Sequence, residues 1–438
     1  MRTVVVGAGP AGLFCGLALA RKGHQVVVVD RDPPPPTAGA WDRRGVMQFN
    51  LPHFFRNLVR QTLLENLPDV WGALIDAGCV PAVPEGLPEA MTGLQARRST
   101  FEGAFWSLAG RDPALRLQTG HVDSLTMRRD RVAGVLVDGT EMEADIVIVA
   151  AGRTARLGHE HRAPGEGGSC GFSYAARMYR AREGVDPPSS ALPMGAMHRG
   201  YLTIVFPQDD KTLSALFVRP SEDNLAELRR NECFETAARH VPNLAPWTDQ
   251  DRFEPITDVM AGSGLSNTYR GQLDDAGRAA VAGLFYVGDA VCTTNPAAGR
   301  GVSLGLRQAA ELVRLLSSAE HDYRAIAEQF DRWCSEHIRP WYEDHVYWDA
   351  TLLARLNGRD IDIGAPLASD VICAAAGQDP SMMPVVGPFM GMLVPPGALK
   401  AVEEKARAVL RTGWRPTWAA GPTGEELAKM LAVPTPTR

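Results

Sequence analysis

The chain has 438 residues, 45 % of them hydrophobic, with a net charge of −6 and an isoelectric point near 6.0. That length and apolar content suffice for a large core divided between interlocked domains. The acidic balance argues against a nucleic-acid surface or a polybasic membrane patch. Only five of the 45 basic residues are lysines. The seven cysteines are scattered without a CxxC pair, as reduced thiols of a cytoplasmic protein would be. The first apolar run leads straight into glycines, unlike a signal peptide, and no apolar stretch of about 18 residues exists to span a membrane.

Residues 3–30 read TVVVGAGPAGLFCGLALARKGHQVVVVD. A β-branched run, Thr3–Val6, predicts a buried strand. Gly7, Gly9, Pro10, Ala11 and Gly12 then form a GxGxxG turn opening a helix that runs to Arg21. A second strand, Val26–Val29, ends in Asp30. Gly7 permits the tight turn, Gly9 lets backbone approach a pyrophosphate, and Gly12 lets helix and strand pack closely. The helix N-terminus offers N–H donors and a positive dipole end to phosphates. Asp30 is placed to take ribose hydroxyls, with Arg31 beside it, which favours FAD or NAD over NADP. The motif alone does not choose between those two.

Further along, residues 31–45 contain PPPP and read as a loop. Helices are expected at Leu51–Leu67, Val70–Ala77 and Ser99–Leu108, and short strands from Leu115 to Val149. Residues 165–271 show strand-like alternation in FSYAARMYRA, YLTIVF and LSALFVRP, interrupted by a helix at about 222–240. LFYVGD at 284–289 returns to the buried-strand style, and a helix follows from about Val302 to Leu316. The remainder reads as helical to about Leu356, then loop-rich. Thr423-Gly-Glu-Glu426 is a capping box opening a last short helix. The expected domains are 1–164 and 276–320 for the nucleotide, 165–275 for substrate, and a helical region at 321–438.

The segment GLFYVGDAVCTTNPAAGRGVSLGLRQA resembles the flavin-binding GD segment of the aromatic-hydroxylase class of FAD-dependent monooxygenases, whose usual form is GDAAHxxxPxxGxG before a helix. The resemblance covers roughly residues 3–320. It implies an α/β fold: a Rossmann-type FAD-binding domain carrying an inserted antiparallel-sheet substrate domain, with a helical C-terminal region. It assigns Asp289 to the ribityl chain, Pro296 to the flavin edge, and Gly299 and Gly301 to the pyrimidine end, where helix N–H groups stabilise negative charge. By the same resemblance Arg44 and Arg98 reach FAD and Val122 contacts adenine.

Two departures narrow the likeness. Where the family carries GADG this chain has IVAAGRTARLG, with Ala151 in place of Asp, and Cys292 replaces the usual His. Both are similar to the olefin epoxidases of polyether biosynthesis, with styrene monooxygenase as a more distant relative; GVMQFNLPHFF is an altered form of an epoxidase segment. The resemblance implies a flavin C4a-hydroperoxide that hydroxylates or epoxidises an apolar small molecule in secondary metabolism. Reducing equivalents would come from NADPH or NADH, directly or through a separate flavin reductase. Cofactor chemistry of this kind requires no side-chain nucleophile, so no catalytic side chain is assigned.

Substrate contacts are expected from Tyr174, Arg177, Tyr179, Tyr201 and Phe206. Because they lie on alternating faces, about half should miss the pocket. His53 is placed equally well near the flavin or on the surface. Trp341, His345, Trp348 and Asp349 read as a packed aromatic face, and His159-Glu160-His161 as a surface turn rather than a metal site. A prenyl reductase-like dehydrogenase is the main alternative. A flavin halogenase is disfavoured, since WxWxIP is absent and no lysine lies between Lys22 and Lys211. A non-enzymatic flavin-binding protein is a third.

Overall fold

The computed structural model describes residues 1–36, 41–84, 89–318 and 322–432. Its centre is a five-stranded parallel sheet in the order Leu284–Tyr286, Ile146–Val149, Arg2–Val6, Gln25–Asp30, Leu115–Thr119. The inner strands are continuous apolar runs, as a sheet buried on both faces requires. Two helices that open beside the cavity described below, Pro10–Ala20 and Gly301–Leu316, pack against each other. They meet at Ala11 and Gly305, where a Cβ on the glycine would stand in ordinary contact, 3.5 Å from that of Ala11. A three-stranded antiparallel meander (Val122–Arg128, Arg131–Val137, Thr140–Glu143) leads into the strand Ile146–Val149 of this sheet. The α/β architecture with its added antiparallel sheet is therefore as the sequence predicts.

The inserted sheet orders Met194–His198, Tyr201–Pro207, Thr212–Pro220, Phe172–Ala181 and Phe253–Pro255, with Met260–Gly262 also paired to Phe172–Ala181. Alternation along each strand divides two cores. Phe172, Tyr174, Ala176, Phe206, Leu216 and Val218 pack with Leu51 and Phe54. The opposite face, with Tyr179, Tyr201 and Phe217, packs under Asn231–His240 and the last helix, Gly424–Ala432. That last helix begins at the expected capping box: Thr423 N–H donates to Glu426 at 2.8 Å and Glu426 N–H donates to Thr423 Oγ1 at 3.3 Å.

Three expectations are corrected. The helix foreseen from Leu51 begins only at Asn57, because Phe54–Phe55 form a short strand against Gly93–Gln95. The helix foreseen at about 222–240 is a 3₁₀ turn at Ala226–Arg229 followed by Asn231–His240. The region after Leu356 is not mainly loop: Ser369–Ala375, Met383–Met390 and Glu403–Arg411 are further helices, and their buried Val371, Val386 and Leu410 join the main core. Residues 37–40 of the foreseen loop lie outside the described residues. Among the described residues no helix is long and apolar enough to cross a membrane.

Candidate active site

A cavity of about 790 Å³ runs from the glycine turn, past Asp289 and Pro296, to the inserted sheet. Gly7, Gly9, Pro10 and Ala11 line its first end. Gly9 is extended (φ −75°, ψ 178°), and a Cβ there would meet nothing within 4 Å, so backbone at this point is open to a ligand. Gly12 does not reach the cavity. A Cβ on it would stand 1.9 Å from Gly7 O, so its place in the motif is packing, not contact.

Asp30 is tightly held. Its Oδ2 accepts from Ala8 N–H and from Arg43, both at 2.5 Å, and its Oδ1 accepts from Asp32 N–H at 2.9 Å. A carboxylate oxygen has two lone-pair positions, so Oδ1 retains one for a ribose hydroxyl. Arg43 is the arginine that enters the site. Its buried guanidinium pairs with Asp30 and Glu102 at 2.5 Å and lies 3.6 Å from Asp32. Burial works to lower its pKa, and the charges and hydrogen bonds of Glu102 and Asp30 outweigh it and keep the pKa raised. Arg44 is exposed and off the cavity wall. Arg44, expected at FAD, is thus off the cavity wall, while the adjacent Arg43 lies on it with its guanidinium on the buried acids.

Arg31, Arg98 and Val122 all line the cavity. Arg31 donates to Gly45 O at 3.2 Å, and Arg98 opens the helix Arg98–Ala109 and is paired with Glu102. At the GD segment, Gly288 has a left-handed φ of +69° and leads into Asp289. No described residue donates to the Asp289 carboxylate, which is set deep in the molecule on the cavity wall. Burial pushes its pKa up, and the nearby Arg98 and Arg153 pull it back. A half-buried acid that faces the cavity without protein donors can take donors from a ligand there. Pro296, Gly299 and Gly301 complete this wall. Gly299 takes φ +62°, and a Cβ there would lie 3.1 Å from Phe54 O. These features fit FAD: an open glycine turn at a helix N-terminus for the pyrophosphate, Asp30 for ribose, and Asp289 for the ribityl hydroxyls. Cys292 is buried off the cavity wall.

Of the five residues foreseen at the substrate end, Tyr174 and Phe206 line the cavity, together with Leu216. Arg177, Tyr179 and Tyr201 do not, because odd-numbered positions of these strands face the back core. There Arg177 pairs with Glu235 at 2.7 Å, Tyr179 donates to the same carboxylate at 2.7 Å, and Tyr201 donates to Pro422 O at 2.8 Å. His53 is on the cavity wall, among Leu51, Pro52, Phe54 and Phe55. His159–His161 form a 3₁₀ turn, and no metal-binding cluster exists among the described residues.

Sequence reasoning missed a buried network behind the GD loop. Arg300 is inside a ring of Trp341, Trp348 and Phe389, 5.0–5.7 Å from their centroids, and pairs with Asp344 at 2.7 Å. The aromatic face at Trp341–Asp349 is packed, as expected, but around this cation. Asp349 accepts from Asn267 at 2.7 Å and from Asn295 at 2.9 Å, and burial pushes its carboxyl up to about 7 against those two donors. Tyr174 donates to Asn295, and Ala297 N–H donates to Tyr174 at 2.8 Å. Arg56 adds a bond to Ala298 O at 3.1 Å. The loop around Pro296 is therefore fixed from three sides. The only sequence signal was the amphipathic grouping of aromatics at 341–349.

Residues 2–79 match a family model described as FAD dependent oxidoreductase. The chain is an FAD-dependent oxidoreductase. Ubiquinone hydroxylase UbiL of Rhodospirillum rubrum is 26 % identical over 337 residues, covering 72 % of this chain and 72 % of that protein. Among solved structures, the flavin-dependent brominase Bmp2 superposes with a TM-score of 0.65 at 17 % identity, over 94 % of this chain and 98 % of that one. CtdE in complex with FAD and a substrate superposes with a TM-score of 0.62 at 16 % identity, over 82 % and 91 %. These likenesses establish the fold that flavin monooxygenases and halogenases share.

Proposed function

We propose that this enzyme is a monooxygenase that inserts one oxygen atom into an apolar small molecule, by hydroxylation or by epoxidation, in secondary metabolism. The observation that carries the reading is the continuity of one cavity from the dinucleotide turn to the Tyr174–Phe206–Leu216 face. A flavin held at the first end faces an apolar chamber at the second. Bound and reduced, FAD supplies activated dioxygen; one oxygen atom goes to substrate and the other to water.

The chain's own residues bind and orient. The Gly7–Ala11 turn would hold the pyrophosphate, with Arg98 on the same cavity wall as a nearby positive charge. Asp289 would fix the ribityl chain, and the amides at the start of Gly301–Leu316 would stabilise the negative charge that reduction adds to a flavin. Leu51, Phe54, Phe206 and Leu216 exclude water from the reacting region, which protects an oxygen-activating site from unproductive decay. The hydroxylase name of the UbiL relative supports the same chemistry. The cavity wall contains no lysine among the described residues, which does not favour the halogenase reading. The electron donor is NADPH or NADH. Ala151, in place of the acid that elsewhere joins in nicotinamide contact, favours delivery through a separate flavin reductase, with the protein acting in the cytoplasm.

The test is turnover in isotopically labelled dioxygen with a panel of apolar arenes and alkenes. A product carrying one labelled oxygen atom is expected. A product reduced at a double bond, with no label, would move the protein to the FAD-dependent reductases that act on a substrate double bond.

A further inference from the structure

We infer that His53 is a specificity-determining acceptor, and that it recognises a hydroxyl or N–H donor on an otherwise apolar substrate. This rests on the monooxygenase reading only for calling the ligand a substrate. The ring is fixed through Nδ1, 2.8 Å from Leu51 O. A carbonyl oxygen only accepts, so Nδ1 carries the proton and Nε2 presents a lone pair. No described residue hydrogen-bonds Nε2, nor is that atom among the sealed, unpartnered polar atoms of the interior. It is open, on a residue of the cavity wall.

The surroundings keep this nitrogen an acceptor. His53 stacks on Phe55 at 5.9 Å, between Leu51 and Phe54 on the wall that also holds Tyr174, Phe206 and Leu216. Burial and the Arg98 charge both oppose protonation, lowering its pKa to about 3. A neutral imidazole of this kind is a poor proton carrier at neutral pH and a good hydrogen-bond acceptor. Tyr174, the other polar ring on that face, already donates to Asn295 and accepts from Ala297 N–H. A ligand filling the lobe with carbon surface alone would leave Nε2 desolvated without a partner, which is unfavourable. One with a donor at that point would satisfy it, and sites built this way reject analogues lacking the donor.

The test is equilibrium binding of 2-naphthol and of naphthalene to the oxidised holoenzyme, followed by perturbation of the flavin absorbance. Wild type should bind 2-naphthol about 10-fold more tightly, the size of one net hydrogen bond. In His53→Leu the two affinities should converge with FAD content unchanged, while His53→Gln, which retains an acceptor, should keep part of the preference. Equal affinities in wild type, a preference that survives in His53→Leu, or binding of neither probe would overturn the inference. Loss of FAD from His53→Leu would assign the residue to the cofactor instead and overturn it too. The measurement involves neither oxygen nor reductant, so its failure is distinct from failure of the monooxygenase reading, which the labelled-oxygen experiment reports.

Discussion

Asp289 faces the cavity half-buried and without a protein donor to its carboxylate, the place we propose for the ribityl hydroxyls of FAD. Asp289→Ala should weaken FAD binding by at least about 10-fold, because several charge-assisted hydrogen bonds are lost together; equilibrium dialysis of the apoprotein against FAD measures it, and unchanged affinity would contradict its role. Another residue-scale prediction concerns His345. It is 1 % exposed, and the Arg300 guanidinium donates to its Nδ1 at 3.2 Å. Burial and the neighbouring Arg300 and Arg56 charges hold its pKa well below the usual histidine value. An unfolded histidine takes up a proton below about pH 6.5, and the folded one does not. Stability from this site is therefore present above that pH and falls as the pH falls. His345→Gln should flatten the decline in Tm between about pH 6.5 and pH 5 relative to wild type. An unchanged slope would show that this imidazole does not set the acid limit.

Within the glycine turn, two positions of one motif separate by mechanism. Gly12→Ala places a methyl against Gly7 O, with backbone on both sides of the clash. It should lower stability by roughly 1–3 kcal/mol or more, as overpacking does, visible as a fall in Tm. Gly9→Ala adds a methyl only to the cavity, so Tm should hold while FAD affinity drops. The reverse pattern would mean the two glycines have been assigned the wrong roles. This turn was legible in the sequence because strand, glycines, helix and acid are contiguous. The inserted sheet was legible only as strands. Both of its faces are covered by apolar layers, so alternation could not say which of Tyr174 or Tyr179 meets the ligand; that depends on Asn231–His240 and Gly424–Ala432 covering the back. Arg43 and Arg44 posed the same difficulty, since the acids that hold Arg43, Asp30 and Glu102, lie 13 and 59 positions away. The C-terminal helices are short and interleaved with Pro and Gly, which hides their period. The Arg300 cage joins residues some 40 to 90 positions apart, beyond any local pattern.

At the scale of the whole molecule, one cavity joins a nucleotide turn, a loop locked by Arg56, Asn295 and Arg300, and an apolar sheet face. Nothing in that arrangement duplicates the dinucleotide turn for a nicotinamide. Without oxygen, NADPH alone should therefore reduce the bound flavin slowly, and addition of a flavin reductase with NADH and free FAD should accelerate its appearance in the reduced form. Rapid reduction by NADPH alone would contradict delivery through a partner. The central claim is that this flavin site activates oxygen. The most direct measurement is stopped-flow mixing of chemically reduced holoenzyme with aerated buffer, with and without saturating 2-naphthol. The account predicts a transient absorbing species, distinct from both reduced and oxidised flavin, before the oxidised spectrum appears. A single-phase return to oxidised flavin under both conditions would contradict it and leave a reductase in a monooxygenase fold.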